Sequence, residues 1–376
     1  MPDMMRAAAG LVATALALGC SSSARTTPPS TPTEATGDEI GRGDGTPSSV
    51  TFTEIYVLTT PDPEVKPQPV DLAFNPADPG ELWVVSYSDD AVHVGFVDGA
   101  APEFRRFRDP AAGHFMYRPP ALAMGDNGFW GTCGDNDNSQ NPAAGDGDST
   151  NFMGPALFTT DRSVFAKAIT QLGSHYDMLH STPFCRGIAH VEANWYWVFN
   201  AFDGSLDKYN FAQDHGPGED DHSDGEIYRY AVGQVKGVDG VPSHVVYDPT
   251  DAFLYVADTG NARVVRLDTR SGTKGARLPR RNEPLAASAM MDGTAVEEVV
   301  PPGTLQSPSG IEVRAGLVYV TDTATSTFHV FRKDGTELRR LATGLPAGAL
   351  AGFTFGVEGK VWFTDRVGGR VLRIDP

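Results

Sequence analysis

The chain has 376 residues and a mass of 40.1 kDa, room for two or three ordinary domains or one large β-architecture. Its 48 Asp and Glu outweigh 30 Lys and Arg, giving a formal net charge of −18; this excludes nucleic acid or an anionic membrane surface as the main partner, since both select basic proteins. Hydrophobic residues at 40% supply a core, the 41 Gly and 28 Pro suit turn-rich β-structure, and no uncharged apolar run of 18 residues follows the first 20, which excludes a polytopic helical membrane protein.

Residues 1–19 hold Arg6, the apolar stretch Ala7–Leu18, and Gly19 ahead of Cys20. A short apolar region ending in small residues before a cysteine resembles a bacterial lipoprotein signal peptide, although Leu18 stands where that pattern usually has a small residue. The resemblance implies that Cys20 becomes the lipidated first residue of a mature chain at the cell envelope, facing the periplasm or the exterior. Several acyl chains on one cysteine anchor firmly. An ordinary secretory signal cleaved near Cys20 is the alternative. Residues 20–50 are rich in Ser, Thr, Pro and Gly, the composition of a flexible linker. The mature domain keeps two cysteines, Cys133 and Cys185, and in an exported protein such a pair is expected as a disulfide rather than as free thiols.

Residues 51–376 contain repeats. The clearest unit runs from Val241 to Leu267: a short strand, the strand Phe253–Ala257, a loop at Asp258–Asn261, and the strand Arg263–Leu267. Its stretch Tyr255-Val-Ala-Asp-Thr-Gly-Asn-Ala-Arg263 resembles the signature of the NHL repeat. Units opening at Pro69, Pro120, Cys185, Ser307 and Ala351 follow the same order of strands, the second of them broken by a long insertion. Their alternating apolar and polar positions suit strands with one covered face. Six such units predict an all-β fold, a six-bladed β-propeller. The last unit stops after its third strand, so the unassigned strand Phe52–Leu58 is expected to supply the fourth and close the ring.

With strands A to D counted from the axis outward, antiparallel order puts the start of A, the B–C loop and the D–A loop on one face, and the A–B and C–D loops on the other. Cys133 ends a strand B and Cys185 starts the next strand A, so both fall on the first face. The segment Gly173–Pro183 is expected there too, beside Arg186 and His244 at strand-A starts. His175, His180 and His244 are candidate metal ligands or general bases, with Tyr176, Asp177 and Arg186 to orient a ligand at the channel mouth; the other reading of His175 and His180 is that they brace a long loop. Asp135-Asn-Asp-Asn-Ser139 resembles the start of a calcium loop, but Gln140 stands where that loop needs glycine and Asp146 stands at the twelfth position. The second face is expected to carry Asp214–Gly225, where His215 and His222 lie among acids, with His190 directed to the same side. His190, His215 and His222 with Asp220, Asp221 or Asp224 would hold a divalent ion, zinc or calcium; an acidic solubilising hairpin is the competing interpretation. Asp258, Asp322 and Asp365 recur at B–C loops and are expected to bind backbone N–H groups of the turns.

NHL-like propellers include binding scaffolds and enzymes. The resemblance to one of these enzymes, the peptidyl-hydroxyglycine amidating lyase, implies metal-binding histidines at strand-A starts, and only His244 lies near such a position. Calcium-dependent lactonases share the six-bladed plan, but their acidic ligand set has no counterpart motif here. Neither a nucleophile elbow nor a phosphate loop nor His-Glu-X-X-His occurs. The sequence therefore points to a monomeric, lipid-anchored propeller binding a protein, peptide or small ligand at its channel mouth, without nucleic acid. The alternative is a metal-dependent hydrolase or lyase using a His/Asp cluster.

Overall fold

The repeats fold as six antiparallel sheets. In blade 1 the strands are Pro69–Asn75, Asp78–Ser86, Ala91–Phe96 and Glu103–Phe107; in blade 2, Leu122–Met124, Phe129–Cys133, Pro155–Thr159 and Asp177–Met178; in blade 3, Cys185–Glu192, Trp195–Asn200, Ser205–Asn210 and Glu226–Tyr230. Blade 4 has Val245–Asp248, Phe253–Asp258, Arg263–Asp268 and Val296–Val300; blade 5 has Pro308–Arg314, Leu317–Asp322, Thr327–Arg332 and Glu337–Ala342. This computed structural model describes residues 35–99, 102–137, 153–219, 221–279 and 283–376. The segment expected as a signal peptide, Cys20, the beginning of the expected linker, Asp220, Gln140 and Asp146 lie outside the described residues.

Blade 6 takes Leu350–Phe355, Val361–Asp365 and Arg370–Asp375 from the end of the chain, and its outer strand is Thr51–Val57, antiparallel to Arg370–Asp375 with Phe52 opposite Ile374. The ring is thus closed by an N-terminal strand, as the truncated last repeat requires. Six apolar clusters, one between each pair of neighbouring blades, hold it together. The one joining blades 6 and 1 sets Trp362 and Val371 against Leu72, Leu82 and Val84. Because each inner strand is covered by a neighbour on both sides, Leu82–Ser86 and Tyr196–Asn200 are buried throughout, and exposed positions alternate with covered ones only in outer strands such as Glu103–Phe107.

Asp258, Asp322 and Asp365 are buried; Asp365 and, through Ala324 N, Asp322 bind their own turns, while the backbone N–H that Asp258 binds lies in the connection entering blade 4. Asp258 accepts from Lys236 N at 2.8 Å, Asp322 from Gln306 N at 2.7 Å, and Asp365 from Gly368 N at 2.6 Å. The Cys133–Cys185 disulfide joins blades 2 and 3, where the strand order places it.

Two features differ from the expectation. Residues 35–50, grouped with the linker, are attached to blade 5: Ile40 is buried, Tyr319 donates to Glu39 at 2.7 Å, and Arg339 donates to Asp38 at 2.6 Å. The C–D connection of blade 4 is also more than a loop. Its strand Ala287–Asp292 lies parallel to Glu226–Tyr230 and extends blade 3 outward, with Thr273–Lys274 beyond it.

Candidate functional site

Two groups of polar side chains stand out, one on the first face and one at the outer seam of blades 2 and 3. On the first face Arg186, at the inner edge of blade 3, is only 2% exposed. Its guanidinium is paired with Asp135 of blade 2 and, at 3.0 Å, with Asp239 from the connection between blades 3 and 4. Asp135 also accepts a hydrogen bond from Tyr87 of blade 1 at 2.6 Å. Arg366 of blade 6 lies 6.0 Å from the centre of the Tyr87 ring, and the charge of Arg118 also acts on Tyr87. Burial holds the guanidinium groups of Arg186 and Arg366 below their usual pKa. Among the described residues Arg366 forms no ion pair, while Asp239 remains in open solvent. Connections from blades 1, 2, 3 and 6 thereby build an arginine-rich, tyrosine-centred mouth on a chain of net negative charge.

Below the mouth the channel is lined by strand-A side chains. His244 Nε2 donates to Pro120 O at 3.0 Å, and its Nδ1 lies 3.7 Å from Asp71. Burial pushes the Asp71 carboxyl up, although His244 counteracts it. Burial also raises Glu312, with the Asp71 charge adding to the effect, to about 8. Glu312 is itself only partly exposed, on the innermost strand of blade 5. Sequence reasoning singled out His244 and missed both carboxylates. Their signal was a charged residue within an otherwise apolar innermost strand, as in Pro69-Val-Asp-Leu and Ser309-Gly-Ile-Glu.

The second group corrects the expected division between faces. Strand D of blade 2 is only Asp177–Met178. His175 therefore precedes it on the second-face side, and only His180 follows it into the D–A connection. So short a strand lets the blade 3 loop reach across. His222 Nδ1 donates to Asp177 Oδ1 at 3.1 Å, and the His180 and His222 rings are 5.2 Å apart in a T-shaped arrangement. Glu283, from the blade 4 insertion, accepts from His180 Nδ1 at 3.0 Å and from His180 N at 3.1 Å. His215 Nε2 donates to Asp224 at 2.9 Å, and Asp224 accepts from Gln213 N at 3.0 Å. His175 stacks on Phe115 with ring centres 3.6 Å apart.

The Gly216-Pro217-Gly218 bend makes this approach feasible. Both glycines have positive φ, and Gly218 N donates to His175 O at 2.6 Å; a Cβ on Gly218 would collide with Thr170. His190 does not join the group, because its Nε2 donates to Ala193 O at 2.9 Å on the far end of blade 3. Asp221 stays at the surface, capping Ser223 N at 2.9 Å. One potential ligand atom from each of His180, His222 and Glu283 falls within 4.8 Å of the others, and the same holds for Asp177, His215 and Asp224. Burial raises the Asp177 carboxyl even though His222 pulls it down, whereas for Glu283 burial is outweighed by His180 and His222, leaving it below its usual value. The hydrogen bond to Asp224 raises His215.

No protein-family model matches this sequence, and no curated protein matches it. Solved propellers do. An auxiliary nutrient binding protein from Bacteroides thetaiotaomicron superposes with a TM-score of 0.55 at 11% identity, covering 86% of this chain and 76% of its own. Another auxiliary nutrient binding protein, from Bacteroides ovatus, gives 0.54 at 14% identity over 87% and 76%. A protein of unknown function from Bacteroides thetaiotaomicron gives 0.56 at 10% identity over 87% and 76%. At these identities the likeness is one of fold.

Proposed function

We propose that this protein is an exported ligand-binding propeller, held at the bacterial cell envelope through Cys20, that takes a small molecule or peptide bearing a carboxylate or similar anion at its first-face mouth. The observation that carries this reading is the gathering of Arg186 and Arg366 about Tyr87, Arg186 through their shared partner Asp135, with Arg366 forming no ion pair among the described residues. A partly desolvated guanidinium lacking a counter-ion gains most from an incoming anion, since charge-assisted pairs strengthen as water is excluded. Arg186 is already neutralised by Asp135 and Asp239, so its part is to orient Tyr87 through Asp135 rather than to bind the charge. His244 and the channel carboxylates below the mouth would meet the uncharged part of the ligand. The Cys133–Cys185 disulfide supports an oxidising location, and nutrient-binding proteins of the same architecture give a precedent for ligand capture.

The test is a thermal-shift screen of the purified protein against carboxylates, sugar acids and short peptides, each beside its amide or neutral counterpart. Stabilisation by anionic members alone, lost in Arg366→Gln, supports the reading. Equal responses to charged and neutral members would refute it. The alternative, a metal-dependent hydrolase or lyase, draws on the histidine and carboxylate groups at the blade 2–blade 3 seam and requires a bound ion.

A further inference from the structure

We infer that His180, His222 and Glu283 form a binding site for one divalent transition-metal ion of the zinc class at the seam between blades 2 and 3. The site stands apart from the mouth, and its failure would leave the anion-binding reading untouched.

The three side chains come from separate parts of the chain: the D–A connection of blade 2, the C–D loop of blade 3 and the insertion of blade 4. Only the folded ring brings them together. Two imidazoles and one carboxylate are a donor set that zinc accepts as three protein ligands, leaving a fourth position for water. Once the ion displaces the proton between His180 Nδ1 and Glu283 Oε1, their 3.0 Å separation is close to the ligand–ligand edge of about 3.3 Å expected for a tetrahedron with bonds of about 2.0–2.1 Å. Asp177 accepts from His222 Nδ1 at 3.1 Å, so coordination would use the opposite ring nitrogen. A carboxylate on the far nitrogen is the usual support for a metal-bound imidazole.

An independent observation points the same way. The Glu283 side chain is 3% exposed, yet its Oε2 has no hydrogen-bond partner among the described residues. A buried carboxylate oxygen left unsatisfied is costly, and an ion held by both oxygens of Glu283 would take up Oε2 together with Oε1. Glu283 also borders a cavity of about 280 Å³, shared with Ser181, Arg277 and Ser288. The second triad is a weaker candidate, because His215 and Asp224 belong to one loop, are partly exposed and already pair with each other.

The bound ion would pin the blade 3 loop and the blade 4 insertion to blade 2. The experiment is elemental analysis of the purified full chain, as isolated and after reconstitution with Zn²⁺, together with visible absorption after Co²⁺ substitution. The expected result is about one equivalent of zinc and the intense visible bands of four-coordinate cobalt. His222→Ala and Glu283→Gln should each lower zinc affinity at least tenfold in a chelator competition. Asp177→Asn should lower it by roughly 10–100-fold through the loss of support for His222, and His190→Ala should leave it unchanged. Should a variant fail to fold by near-ultraviolet circular dichroism, the cobalt spectrum and zinc stoichiometry of the unmodified protein decide. Absence of stoichiometric zinc and cobalt after reconstitution would overturn the inference, as would an equivalent that survives in folded His222→Ala and Glu283→Gln.

Discussion

Replacing Glu312 by Gln turns a channel carboxyl into a permanently neutral isostere, and the structure sets both the sign and the size of the result. Glu312 ionises near 8 rather than at its usual 4.5, because burial and then the Asp71 charge oppose its negative form. Between pH 4.5 and 8 the folded ring therefore keeps a proton that the unfolded chain releases, and stability declines as pH rises through that window. The gap between the two values corresponds to about 5 kcal/mol for a fully dry site. Because Glu312 is partly exposed, solvent screening should leave about half of that, roughly 2–3 kcal/mol. Urea unfolding of Glu312→Gln and the unmodified protein at pH 5 and pH 9 reads this directly. The variant should be within about 1 kcal/mol at pH 5 and about 2–3 kcal/mol more stable at pH 9. An equal difference at both pH values, or a variant less stable at pH 9, would refute the assignment of a strained channel carboxylate.

Other expectations follow from single features. Replacing both Cys133 and Cys185 by Ala opens a loop of 52 residues' separation; chain entropy puts the loss at about 4 kcal/mol, read as the drop in denaturation midpoint relative to the oxidised protein. Burial holds His93 down to about 4, with Arg106 adding to the effect and Asp89 opposing it. The folded state therefore loses stability as pH falls from 6.5 toward 4, by up to about 3 kcal/mol, and a His93 resonance titrating near 4 rather than 6.5 checks this. Asp207 is fully buried and binds Arg229 at 2.8 Å, so Asp207→Ala should destabilise by about 3–5 kcal/mol by leaving a buried cation short of a partner; an unaltered unfolding curve would contradict it.

What was legible in the sequence was whatever local pattern controls. The Tyr255–Arg263 signature, the strand order of the units and the truncated last repeat were enough for the six blades, the closing strand and the face shared by Cys133 and Cys185. What escaped was set by distance along the chain. Glu283 meets His180 across 103 residues, through an insertion whose strand Ala287–Asp292 pairs with another blade and carries no repeat grammar. His180 and His222 are expected on opposite faces when all of Gly173–Pro183 is placed on the first face, but that segment contains strand D of blade 2. Reduced to Asp177–Met178, it is too short to separate them. His190 faces its own hairpin turn, since the Ala193 carbonyl lies within reach of its ring. Asp71 and Glu312 went unnoticed for another reason: a polar residue in an inner strand is informative only once that strand is known to line a channel.

The most direct test of the central claim is calorimetric titration of an anionic ligand from the screen, and of its neutral isostere, into the unmodified protein and an Arg118→Gln/Arg366→Gln variant. The account predicts binding of the anion, at least tenfold weaker binding of the isostere, and a loss of about 10–100-fold in the variant, as expected for hydrogen bonds to a charged group. A neutral isostere that binds as tightly, or a variant that binds the anion unchanged, would contradict a mouth built to receive an anion.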